Sequence, residues 1–159
     1  VGCRVTGVGC RVGEMAIHDF RDLRVWRSGM ALVVEVYGLT KVFPKSELYG
    51  LTSQMQRAAV SVPANIAEGH ARQHLREYVQ FLSVAEGSLA ELETYLELVP
   101  LLSYAPRERT QPLLDRSASV GRQLVALRNS LTPRLKEEPI LYDATSDDPD
   151  TRHPTLDTR

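Results

Sequence analysis

YVQFLSVAEGSLAELETYLELV, residues 78–99, decides how this chain folds. Tyr78, Leu82, Ala85, Leu89, Leu92, Leu96 and Val99 follow one another at alternating steps of four and three residues. That spacing puts all seven on one face of a helix and predicts a long amphipathic element that stops near Tyr104–Pro106. Such a stripe is stable in water only when other helices cover it.

The flanks supply those partners. Upstream, RAAVSVPANIAEG at residues 57–69 holds Pro63, Asn65 and Gly69, all poor helix-interior residues, inside a helical pattern. Leu48, Leu51, Met55, Ala58, Val62 and Ile66 keep an apolar register straight through the proline. Two readings stand: one kinked helix, in which the Ala59 carbonyl gives way to the Pro63 ring, or a break at residues 61–63. The unbroken register favours the kink. Ser46 is the expected N-cap, and Gly69 the expected left-handed helix end. Further upstream a helix is expected from about Phe20 to Phe43. Asp19 would cap it, Leu23, Trp26, Met30, Val33 and Tyr37 would face inward, and Pro44 would end it. Downstream, residues 107–131 carry Leu113, Ser117, Val120, Leu124, Leu127 and Leu131, with Pro133 closing the pattern. No stretch alternates with a period of two. The fold expected is all-α: an antiparallel up-down four-helix bundle with a proline-kinked second helix.

The 159 residues suit one domain, and their 43% apolar and 25% charged content is ordinary for a globular chain. No apolar run approaches the ~18–20 residues that span a bilayer, so a soluble protein without a membrane partner is expected. Charge is uneven. Residues 137–159 hold seven acids against Arg152 and Arg159, whereas residues 15–136 carry a net +3. The expected organisation is a disordered or non-native arm at 1–18, the bundle at 19–136 and a disordered acidic tail at 137–159. Cys3 and Cys10 lie in a tandem VGCRV copy whose spacing matches no zinc or redox motif. Met15 is the expected biological start. The cysteine-free body points to the cytoplasm.

Little in the chain can do covalent chemistry. His70, His74 and Glu77 could share a helix face and hold a metal, but they follow Gly69 and have no third strong ligand; exposed histidines are the plainer reading. Di-iron bundles use Glu-x-x-His on two helices, a motif this sequence lacks. No serine sits in a nucleophile motif, and no glycine-rich loop could cradle a phosphate. No cofactor and no enzymatic activity are expected. The arginines are the exception. Arg21, Arg24 and Arg27 recur at three-residue steps, Arg57, Arg72 and Arg76 flank the proline segment, and Arg109, Arg116, Arg122 and Arg128 mark the last helix. Arginine grips phosphate bidentately, so Arg24, Arg27, Arg57, Arg72, Arg76, Arg109 and Arg116 are candidate nucleic-acid contacts. The plain alternative is ordinary surface charge.

Over residues 20–131 the chain resembles the four-helix-bundle family of proteins encoded in intervening sequences of bacterial 23S rRNA genes, also called the S23 ribosomal protein family. The motifs that carry the resemblance are Phe43-Pro44, the run from Glu47 to Gln54, Arg57-Ala58-Ala59, the run from Pro63 to Gly69, and the run from Gly87 to Thr94. The resemblance implies a homopentamer without catalysis. It is also similar in fold to the accessory protein of diversity-generating retroelements, which joins a reverse transcriptase and contacts nucleic acid. An RNA-binding oligomer is therefore the first expectation. The second is an adaptor for a reverse transcriptase or ribosomal component without nucleic-acid contact. Glu47, Tyr49, Gln54, Pro63, Asn65, Glu68 and Gly69 are expected to shape the bundle and its assembly, the polar ones by bonding across helices or protomers.

Overall fold

A computed structural model describes residues 19–135; the arm expected at 1–18 and the tail expected at 137–159 lie outside the described residues. Among the described residues there are four α-helices and no strand: α1 (Arg24–Thr40), α2 (Leu51–His70), α3 (Leu75–Leu101) and α4 (Arg107–Leu135). None is long and apolar enough to cross a membrane.

Asp19 is a cap, but of a 3-10 turn, Phe20–Asp22, rather than of α1: its carboxylate accepts the Arg21 backbone N–H at 2.8 Å. Leu23 is then extended before α1 begins. The inward face of α1 also differs from expectation. Leu23 is buried, yet α1 buries Val25, Gly29, Leu32, Val36 and Leu39, while Met30 and Tyr37 are 40% and 42% exposed. Apolar residues fill almost all of 30–37, so two stripes compete on this helix. The neighbours decide between them: Gly29 meets Pro63 of α2, where a Cβ added to Gly29 would lie 3.6 Å from the ring.

Helix α2 starts later than expected. Ser46 lies in a 3-10 turn, Lys45–Glu47, and the N-cap position falls to Gly50. Glu47 performs the capping instead, accepting the Leu51 N–H at 3.0 Å. The helix then runs unbroken through Pro63, so the reading with a break at 61–63 is excluded. Pro63 is buried, and Met55, Val62 and Ile66 on its two sides are fully enclosed.

Helix α3 carries the stripe as read: Leu82, Ala85, Leu89, Leu92, Leu96 and Val99 are all buried. It stops at Leu101 in a Schellman turn. Ser103 adopts a left-handed φ of 60°, its N–H reaches the Pro100 carbonyl at 3.1 Å, and the Tyr104 N–H reaches the Val99 carbonyl at 3.1 Å. Helix α4 outruns its expected end and continues through Pro133 to Leu135. Ser117, an unpromising core residue in the sequence, is fully buried because it donates to Glu93 Oε1 on α3 at 2.8 Å.

The helices pack in a ring, α1 on α2, α2 on α3, α3 on α4 and α4 on α1. Contacts pair rising numbers on one helix with falling numbers on the next. Gly29 meets Pro63 and Thr40 meets Gln56; Ser61 meets Ser88 and Gly69 meets Tyr78; Glu86 meets Arg128 and Glu97 meets Arg107; Ser28 meets Gln123 and Glu35 meets Arg116. Each fully buried leucine on the shared axis, such as Leu32, Leu92 or Leu124, stabilises the bundle by about 2 kcal/mol.

Candidate functional site

Most of the polar signature residues are used inside the chain. Glu47 bridges two corners of the bundle: one carboxylate oxygen caps α2 at Leu51, and the other accepts the Tyr104 hydroxyl at 2.9 Å, just beyond α3. These bonds, the backbone one first, hold its carboxyl below the usual glutamate range. Gly50 makes room for it, since a Cβ there would sit 2.6 Å from Glu47 Oε2. Asn65 donates to the Ser61 carbonyl at 2.7 Å and to the Ser61 hydroxyl at 2.9 Å, and that hydroxyl lies 2.8 Å from Ser88 on α3. Glu68 pairs with Arg72 one turn later. Tyr49 and Gln54 are different: both are exposed, Tyr49 by 90%.

Gly69 does not have the expected conformation. No described glycine has a positive φ, and α2 continues past Gly69 to His70. Its role is close approach. A Cβ there would fall 2.8 Å from Phe81 Cβ and 2.8 Å from Tyr78 Cδ2. The left-handed position expected here occurs instead at Ser103. Above Gly69, His70 contacts the rings of Tyr78 and Phe20 at centroid distances of 5.9 and 6.5 Å. Burial pushes the Tyr78 hydroxyl up to about 12.

The seven candidate arginines do not converge on one surface. Arg24 and Arg27 on the first turn of α1 share an end of the bundle with Arg72 and Arg76 around the start of α3. Arg109 lies near the start of α4, at the opposite end. Arg57 faces out from α2, and Arg116 lies in the α1–α4 groove. Three are already engaged. Arg27 pairs with Asp22 at 2.9 Å, Arg116 pairs with Glu35 at 2.9 Å, and Arg72 pairs with Glu68 while lying 4.7 Å from the centre of the Phe81 ring. Arg24, Arg57, Arg76 and Arg109 are exposed without a carboxylate partner among the described residues.

A surface not anticipated from the sequence adjoins Arg57. On α2, Ser53, Arg57, Val60, Ala64 and Ala67 form a second stripe at four- and three-residue steps, turned away from the core. A groove of about 450 Å³ crosses it from Tyr37 on α1 to Glu91 on α3. Met30, Val34 and Tyr37 line up on the α1 side at helical spacing, all at least 40% exposed. Val84 and Leu98 stand seven residues to either side of Glu91, share its face and are exposed too. The outer face of α4 is mostly polar by contrast, with Gln111, Asp115, Arg122 and Asn129 around a single exposed valine, Val125. The signal for this surface was the surplus of apolar residues on α1 beyond what one core face can use. Among the described residues no three His, Cys, Asp or Glu side chains group as metal ligands.

A family model for the 23S rRNA-intervening sequence protein matches residues 21–126. The crystal structure of a protein of unknown function from the S23 ribosomal protein family of Bacteroides thetaiotaomicron has the same fold, with a TM-score of 0.62. That match is 23% identical and covers 66% of this chain and 95% of the other. A search of curated proteins returned no match.

Proposed function

The chain belongs to the 23S rRNA-intervening sequence protein family, and from that premise we propose that it is a non-enzymatic, cytoplasmic bundle that works as a homo-oligomer, a pentamer by family resemblance, and binds RNA through its unpaired arginines. Self-association is carried by one observation: the apolar strip of Met30, Val34, Tyr37, Val60, Val84 and Leu98 on the outside of α1–α3. Exposed apolar side chains gathered on one side of a bundle mark an interaction site. Arg57, set within the strip, would lie at the edge of a protomer contact. RNA binding is supported by the family's rRNA-gene context and by Arg24, Arg76 and Arg109, which have no local acid to neutralise them.

The test is the mass in solution together with an RNA titration at two salt concentrations. The reading predicts a multimer that Val60→Glu converts to a folded monomer, and RNA affinity that falls steeply with salt. A wild-type monomer at working concentration sinks the assembly reading. Absence of salt-dependent RNA retention turns the balance to the adaptor reading, with a reverse transcriptase or ribosomal component as partner. One observation already favours that second reading: the candidate arginines are scattered over both ends of the bundle, and three are paired.

A further inference from the structure

We propose that the groove at the α1–α2 corner is a nucleotide subsite, which takes one base against Tyr37 and Leu48 and the attached phosphates on Lys41 and Lys45. The ligand's class follows from the groove; its arrival as part of an RNA chain rests on the RNA reading above. Lys41 and Lys45 are the two lysines among the described residues, and the arginine spacing that marks candidate contacts passes them by. They stand four residues apart on one short connection: Lys41 follows the end of α1, and Lys45 opens the 3-10 turn Lys45–Glu47. The Phe43 N–H bonds the Thr40 carbonyl at 3.2 Å and the Leu48 N–H bonds the Lys45 carbonyl at 3.2 Å, so the corner is folded onto itself. Both lysines line the same groove of about 440 Å³. That volume falls in the ~300–1,000 Å³ range of sites for single small ligands.

The groove combines charge, an apolar wall and an unmet hydrogen bond. No carboxylate lines it. Glu47, two residues past Lys45, commits its oxygens to the Leu51 N–H and the Tyr104 hydroxyl, and Glu35 of α1 is paired with Arg116 in the α1–α4 groove. Phe43 is buried against Tyr104, which leaves Tyr37 and Leu48 as the apolar faces open to a ligand. Tyr37 also borders the Arg57 groove, so the subsite begins at the edge of the apolar strip. On the floor, the Thr40 hydroxyl donates to the Tyr37 carbonyl at 3.2 Å and accepts the Gln56 amide at 2.9 Å. Thr52 is different. It is only 7% exposed, lines the groove, and its hydroxyl has no hydrogen-bond partner among the described residues. Any ligand that displaces water from the groove must offer this hydroxyl a polar atom. A hydrocarbon side chain of a peptide would leave it unpaired. A nucleobase meets it with a polar edge while its face stacks on the Tyr37 ring, and the phosphates beside the base neutralise the two ammonium groups.

A fluorescein-labelled uridine oligonucleotide titrated into the full chain reads each part. Lys41→Gln with Lys45→Gln should weaken binding about tenfold at roughly 100 mM salt and lower the slope of log affinity against log salt by about 1.4, the share of two single-strand phosphate contacts. Thr52→Val should weaken binding about fivefold with the slope unchanged, and should have no effect on an abasic oligonucleotide of the same length. Circular dichroism melts check that the variants fold. Should Thr52→Val not fold, the Gln56 side-chain amide resonance of the unaltered protein must shift with the uridine oligonucleotide and stay in place with the abasic one. RNA binding unmoved by the lysine pair overturns the subsite and leaves the RNA reading standing. Binding that drops with the lysines but ignores both Thr52→Val and the missing bases reduces the groove to phosphate contact and overturns the proposal. Uridine monophosphate that saturates the groove while the oligonucleotide does not bind keeps the nucleotide assignment and sinks the RNA reading. A leucine–glutamate peptide that binds through the same lysines more tightly than either gives the groove to an acidic protein partner and overturns the proposal. Binding by none of the three overturns both readings.

Discussion

The α2–α3 seam and the α1–α4 seam are both lines of contact between neighbouring helices, yet they are built by different means. Along α2–α3 small residues on α2 permit close contact: Gly69 leaves room for Phe81 and Tyr78, and Ser61 lies against Ser88. Its polar contacts are uncharged and partly buried, with Asn65 folded onto Ser61. Glu47 fastens the other end, joining the start of α2 to Tyr104 after α3. Along α1–α4 the helices leave a groove of about 410 Å³ crossed by the Glu35–Arg116 ion pair, whose side chains are 36% and 45% exposed. Close packing of small residues supplies dispersion and excludes water, whereas a solvated ion pair spends most of its Coulomb energy on screening and side-chain ordering. Most of the stability should therefore reside in the first seam.

The hardest test of that contrast is Gly69→Val. Nothing near Phe81 and Tyr78 can yield without moving α3, so a loss of about 3 kcal/mol is expected in urea unfolding; a loss under about 0.5 kcal/mol would show that the seam is loose. Asn65→Ala removes two hydrogen bonds and should cost about 1 kcal/mol while leaving the mass in solution unchanged. A change of oligomeric mass would move Asn65 from the seam to the protomer interface. Glu47 makes the seam sensitive to acid. Its folded pKa is lowered from the ordinary 4.5, so its contribution is complete above that value and disappears as pH falls through the lower folded one. Glu47→Gln should lower the thermal midpoint at neutral pH and flatten the stability profile on the acid side, which a pH series of melts reads directly. The smallest effect belongs to the second seam: Glu35→Ala should shift stability by no more than about 0.5 kcal/mol, less still in high salt. A larger loss would reverse the ranking.

Legibility followed the same physics. In α3 one apolar stripe outweighs the scattered others, and every residue of it from Leu82 to Val99 is buried. In α1 apolar residues surround Glu35 on nearly all sides, so turning Val25, Leu32 and Val36 inward and Met30 and Tyr37 outward requires knowing what lies opposite; Leu23 is buried as expected, and Trp26 and Val33 pack against the core. The groove across α2 is hidden in the sequence for that reason: the periodicity places its Tyr37 wall in the core. The sequence marks Gly69 by its type but leaves its role open, because a glycine suits both a left-handed end and a close approach. Spacing picks out the arginines, yet spacing within a helix says nothing of which ones share a surface after folding.

What the sequence by itself determined is the helical class, the four apolar registers in outline and the family, because periodicity and local motifs are properties of neighbours along the chain. The tertiary structure alone decided that α1 turns Val25, Leu32 and Val36 inward, that Pro63 packs on Gly29 inside an unbroken helix, and that Gly69 is a contact point rather than a cap. Each of these depends on which surfaces meet across the bundle. Such meetings are settled by packing between residues far apart in the chain, which no local pattern records.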